Sequence, residues 1–201
     1  MTRLDHRPWL LLGLAACGSV VVPAERFYRL AVPAPETAPI QEPQVLRVQS
    51  VRLAAALASD RILVSDGGVC VHPYELDRWI GPLDGLVQDA LVQGLARTRA
   101  FAQVKGPGDG GRDDVQLAAR VLDFCRHEAD GKPFGRAEVE IRLLRSTDGR
   151  VLWQRELLAC VPSAGDGPAA AVQALSVAMA QVVQGIVQGC RESGVLAGPA
   201  R

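Results

Sequence analysis

The sequence predicts an α/β fold, a two-layer sandwich in which two amphipathic helices pack on one antiparallel or mixed sheet. Three observations carry this prediction. Several runs alternate apolar and polar residues with period two, the pattern of a strand with one buried face. Two longer segments repeat apolar residues at helical spacing on one stripe only, so each helix has a single face to bury and suits a two-layer arrangement rather than a doubly wound one. The composition, 201 residues with 48% hydrophobic and 22% charged, supports one globular domain with tails and excludes wholesale disorder.

From the N-terminal side, residues 27–32 alternate and read as a first strand. Pro33, Pro35, Pro39 and Pro43 then mark a surface loop, because proline removes backbone donors and forbids regular pairing. Residues 45–51 form a half-buried strand. After the alanine-rich segment 54–58, residues 61–65 make a short strand, and across the turn signal Asp66-Gly67-Gly68 residues 69–72 are its hairpin partner. Pro82 opens a helix at a favoured first-turn position. Leu83, Leu86, Val87, Ala90, Leu91 and Leu95 are its apolar stripe, and Trp79 just before it packs beneath. The glycine run 106–111 reads as a flexible loop.

Three strands follow, over about 115–126, 135–146 and 151–161. Asp130-Gly131-Lys132-Pro133 connects the first two, and Asp148-Gly149 is a tight hairpin turn between the last two, since both residues tolerate positive φ. A helix over roughly 168–190 buries Val172, Leu175, Met179, Val182, Ile186 and Cys190. Its other side carries Gln173, Gln181, Gln184 and Gln188. A polar face without charges avoids the cost of desolvating ions, which suits a partner contact; it equally suits an ordinary soluble helix face. Residues 191–201 read as a frayed, flexible tail.

The first twenty residues carry the pattern of an export signal. Arg3 and Arg7 precede the uncharged run Trp9 to Ala16, too short to cross a bilayer but of the form of a secretory hydrophobic region. Leu14-Ala15-Ala16-Cys17 resembles the bacterial lipobox, in which the cysteine is acylated and becomes the first mature residue. Residues 1–16 are then a signal peptide, 17–26 an acylated tether and 27–190 the periplasmic domain. Without residues 1–16 the chain has one more acidic than basic side chain, so the acyl chains on Cys17, not charge, must hold the membrane. Gly18 after the cysteine points to the outer membrane.

The same charge balance, 22 basic against 22 acidic groups in the whole chain, and an aromatic content of 4% exclude nucleic acid as a partner. Cys70, Cys125, Cys160 and Cys190 are an even set in an oxidising compartment, where either disulfides or buried inert thiols are consistent with the sequence. Cys70 with His72 and Cys125 with His127 are i, i+2 pairs on strands, and two such pairs on neighbouring strands could assemble a tetrahedral set. Their spacing matches no zinc motif, so no metal ligands are expected. A Cys125–His127–Glu128 nucleophilic site fails on geometry. Glu128 faces the other side of a strand, and same-strand neighbours splay about 6–7 Å apart. Asp113, Asp114, Glu138 and Glu140 read as solvated edges.

In order, the lipobox, Tyr28-x-Leu30, the proline-rich loop, the strand Arg61 to Val64, Trp79 before Pro82, the three-strand meander and the terminal helix resemble the ABC-type transport auxiliary lipoproteins. These are paraquat-inducible C-type lipoproteins that accompany MCE-domain proteins. The resemblance implies a non-enzymatic docking component without cofactors, held at the outer membrane. Its partners would be an MCE-domain protein with its permease and ATPase, for passage of lipid or another hydrophobic compound between the membranes. The family's ring-forming partners and the low-charge helix face together suggest a homo-oligomeric ring. The competing reading is a lipoprotein that itself carries a small hydrophobic ligand.

Overall fold

The computed structural model describes residues 23–34, 42–66 and 70–196. In chain order the elements are β1 (Arg26–Tyr28), β2 (Glu42–Val48), β3 (Arg52–Leu53), a 3₁₀ turn (Ala55–Leu57), β4 (Arg61–Ser65), β5 (Val71–Trp79), α1 (Leu83–Thr98), β6 (Phe101–Lys105), β7 (Val115–Ala129), β8 (Lys132–Arg145), β9 (Val151–Pro162) and α2 (Pro168–Glu192). The strands of the described residues form one mixed sheet with both helices on one face, the predicted α/β sandwich.

β7 is the axis of that sheet. Along one side it pairs antiparallel with β8 over its whole length. Along the other it takes β2, β3 and β4 in succession, all parallel to it, with Leu46 opposite Val115, Arg52 opposite Arg120 and Val64 opposite Arg126. Residues 46–65 are therefore one strand interrupted twice, the second time by the 3₁₀ turn that buries Leu57. β6 flanks β2, β5 flanks β4, and β1 ends that side; β9 is the opposite edge beyond β8.

A bulge between Val121 and Asp123 reverses the sidedness of β7. Before it, Val115, Leu117, Ala119 and Val121 face the helices with Leu143, Ile141 and Val139 of β8. After it, Phe124 and Arg126 take that face, opposite Ala137 and Gly135, and Asp123, Cys125 and His127 turn to the other.

α1 lies over β2 and β6, and α2 over β8 and β9, with Gly94 of α1 against Val183 of α2. α2 has the length and apolarity of a membrane span, but 67% of its apolar window is buried inside the domain. The predicted stripe from Val172 to Cys190 is what it buries.

Several local expectations change. β1 stops at Tyr28, because the chain leaves the sheet to run across the helices, where the Ala31 N–H donates to Ser176 Oγ at 3.2 Å. The partner of β4 extends to Trp79, well past residue 72, and β6 follows α1 without any turn signal to announce it. The tight turn with positive φ at both residues is Asp130-Gly131 (52° and 69°), not Asp148-Gly149. At the latter only Gly149 is left-handed, and Asp148 accepts from the Arg150 N–H instead. Residues 191–196 do not fray: α2 reaches Glu192, and Val195 and Leu196 are buried. Residues 197–201 lie outside the described residues.

At Gly135 the backbone of α2 comes so close that a Cβ would stand 2.8 Å from the Leu175 nitrogen. Backbone cannot yield as a side chain can, so Gly135→Ala is expected to cost about 1–3 kcal/mol by overpacking. Gly165→Ala, where nothing lies within 4 Å, is expected to be near neutral. Urea unfolding of the two variants makes the comparison.

Candidate functional site

Gln173, Gln181, Gln184 and Gln188 are all exposed on one side of α2, and no charged residue occurs in the helix before Arg191. This low-charge strip rides on a helix fixed by its opposite stripe. Cys17 lies outside the described residues, which begin at Pro23.

A second surface was not foreseen. Phe27 and Ile80 are 59% and 63% exposed, and with Leu53, Trp79, Pro82 and Leu83 they line a cleft of about 650 Å³ where β1 meets the entry to α1. Asp60 and Asp84 stand at its rim. Trp79 is its floor and is itself buried, tilted against Phe124 at 6.0 Å, so the expected core role holds. Phe27 and Ile80 look unremarkable in sequence because only the fold brings them together.

The four cysteines among the described residues, Cys70, Cys125, Cys160 and Cys190, are free thiols, and no disulfide joins them. Arg136 stands between Cys125 and Cys160 in the strand register, and Cys190 sits on the helix side, away from Cys125. Burial pushes the Cys190 thiol up to about 12, as an inert core residue requires. The four-residue Cys/His set is also not assembled. His72 shares a face with Val64 and Arg126, whereas Cys125 and His127 occupy the other.

Cys125 and His127 do come closer than strand splay allows, because both lean on Asp123. The Sγ, the imidazole nitrogen and a carboxylate oxygen lie within 4.8 Å of one another. His127 Nε2 is 2.8 Å from Asp123 Oδ2, and its ring stacks on Phe134. Burial, then the Asp123 charge, push the Cys125 thiol up to about 12, the opposite of an activated nucleophile.

Asp113 is not a solvated edge. Its carboxylate takes Arg47 Nε at 2.8 Å, Ser146 Oγ at 2.7 Å and Gln116 Nε2 at 3.0 Å. The same Arg47 donates to the carbonyls of Gly106, Asp109 and Gly111, and Lys105 Nζ donates to those of Gly110 and Arg112. The glycine run expected to be flexible is therefore held by two cations from β2 and β6.

The family model described as the ABC-type transport auxiliary lipoprotein component matches residues 28–187. The chain belongs to this family. No curated protein matches it. Among solved structures, a Xanthomonas campestris protein of family DUF330 is 25% identical with a TM-score of 0.76, covering 86% of this chain and 98% of its own. A second, uncharacterised protein is 21% identical with a TM-score of 0.65, covering 83% and 98%, and shows the fold alone.

In this family member the Arg47–Asp113 pair ties β2 to the segment that leads into β7. Burial alone would raise the Asp113 carboxyl, but the bonds from Ser146, Arg47 and Gln116 outweigh it and hold the group at about 2 against its ordinary 3.8. A depressed carboxyl stabilises the fold above its unfolded value and loses that contribution as pH falls from 3.8 toward 2. The urea midpoint is expected to fall over that window, and the fall to be shallower in Asp113→Asn, which is already destabilised at neutral pH.

Proposed function

We propose that the chain is an outer-membrane lipoprotein acting as a non-catalytic docking component of an MCE-type ABC transport system for lipid or other hydrophobic compounds. Residues 1–16 are removed, Cys17 is acylated, and residues 17–26 tether the periplasmic domain 27–190. The observation that carries the reading is the family match over residues 28–187. It is supported by the uncharged exposed side of α2, where Gln181 and Gln184 can be covered by a partner without desolvating an ion. The protonated state of the Cys125 thiol supports the non-catalytic part.

Affinity purification of the full-length protein from its native envelope, with Cys17→Ala as the unanchored control, tests the reading. An MCE protein with permease and ATPase subunits is expected in the eluate; their absence overturns it. Gln181→Glu with Gln184→Glu places two charges on the strip. The variant is expected to lower MCE recovery about ten-fold or more, since an interface centre excludes unpaired charge. A ring of copies is part of the proposal, and sedimentation as a monomer at every concentration would remove it.

The cleft at Phe27 and Ile80 favours one second reading, direct carriage of a hydrophobic ligand. Pro23 is six residues after Cys17, a span of at most about 20 Å, so the cleft would stand near the bilayer. On this reading Ile80→Asp lowers the lipid retained by the purified protein, measured by mass spectrometry, and leaves MCE recovery unchanged.

A further inference from the structure

We propose that Asp123, Cys125 and His127 form a binding site for one divalent ion of the zinc type. The three side chains supply a carboxylate oxygen, a sulfur and an imidazole nitrogen, all within 4.8 Å of one another. Oxygen, sulfur and nitrogen donors in one set suit a borderline ion such as Zn²⁺ rather than Mg²⁺ or Ca²⁺, which take oxygen. Three protein ligands leave the fourth tetrahedral position to water.

The fold builds the site rather than merely permitting it. The bulge between Val121 and Asp123 sets Asp123 on the same face as Cys125 and His127, so positions i, i+2 and i+4 of one strand converge. Two of the donors are held from behind. Phe134, opposite on β8, stacks on the His127 ring with centroids 5.6 Å apart. Arg136 Nε lies 3.3 Å from Asp123 Oδ2 and is itself paired with Glu138. Cys125 is buried, whereas the Asp123 and His127 side chains are 21% and 15% exposed, which leaves a path for the ion.

The charges close. Binding releases the thiol proton to solvent. His127 ligates as the neutral imidazole with its one hydrogen on Nδ1, any second ring proton also passing to solvent. This leaves a thiolate, two carboxylates (Asp123 and Glu138) and one guanidinium (Arg136) around the dication. Their sum is zero. The ion would tie the bulged segment of β7 to itself and stabilise the fold by mass action.

The test uses the full-length chain stripped of metal by a chelator, both unsubstituted and with Cys70→Ser and Cys160→Ser, which remove the exposed thiols among the described residues. Titration with Co²⁺ is expected to load one ion per chain with an intense sulfur-to-cobalt charge-transfer absorption, displaced by one equivalent of Zn²⁺. Cys125→Ser is expected to abolish that absorption, and Cys190→Ser, on the helix side, to leave it intact. His127→Gln alters a partly exposed ring, keeps the fold testable if the buried Cys125→Ser does not fold, and is expected to weaken Zn²⁺ binding about ten-fold or more. Zn²⁺ should raise the Tm of the unsubstituted chain more than that of His127→Gln. No stoichiometric Co²⁺ uptake, a charge-transfer band that survives Cys125→Ser, or Zn²⁺ affinity unchanged in His127→Gln overturns the site.

Discussion

The pairing of β7 with an uninterrupted β8 on one side and an interrupted parallel strand on the other is the constraint on which everything else depends. A fifteen-residue strand of strict period two would hold one set of side chains on the helix face throughout. Here that would put Asp123, Cys125 and His127 in the core and Phe124 against solvent. The bulge at Val121–Asp123 adds one residue and exchanges the sets where the helix layer changes from apolar packing to Arg126. Arg126 is tolerated there because Glu128 and Asp166 accept from its guanidinium at 3.1 Å.

That exchange explains which parts of the molecule were legible in the sequence. Elements with a single unbroken period, such as the stripe from Val172 to Cys190 or the alternation of β8, translate directly into buried faces. The bulge has no residue signature, since neither Gly nor Pro marks it, so the chemistry of positions 123–127 could not be placed on a face. β6 escaped for a related reason. Phe101-Ala102-Gln103-Val104-Lys105 has no clean alternation, and its Lys105 is buried because it serves the carbonyls of the glycine loop. The Cys/His pairs were visible as sequence neighbours. Only the register, with His72 across from Val64 and His127 across from Ser65, shows that they belong to opposite faces.

The candidate surfaces differ in the same way. The four glutamines of α2 were readable because helical spacing alone puts them together, and a buried stripe opposite guarantees their exposure. The cleft was not, because it joins Phe27, Leu53 and Ile80 from three separate segments, and single apolar residues carry no signal of their own. The loop at 106–111 shows the converse failure: glycines announce freedom, but Arg47 and Lys105 spend their donors on its carbonyls and remove that freedom.

The sheet order also relates the proposed anchor to the proposed docking strip. β1, which follows the tether, forms one edge of the sheet, and α2 lies over β8 and β9 at the other. Between those edges run β5, β4, β7 and β8, so β1 and β9 stand about 24 Å apart at the ordinary strand spacing. The first turns of α2 reach back toward β1, where the Ala31 N–H donates to Ser176, and its C-terminal half packs on Leu157 and Trp153 of β9. On the proposed anchoring, the lipid chains and the cleft sit at one edge, and the C-terminal part of the uncharged strip, Gln181, Gln184 and Gln188, is offered toward the other. On that proposal the C-terminal part of the strip stands clear of the headgroups that would cover a docking surface beside the tether. The filled helix–sheet core between the edges makes the link stiff, so a load on α2 is carried to the anchor through packed side chains rather than through a flexible chain.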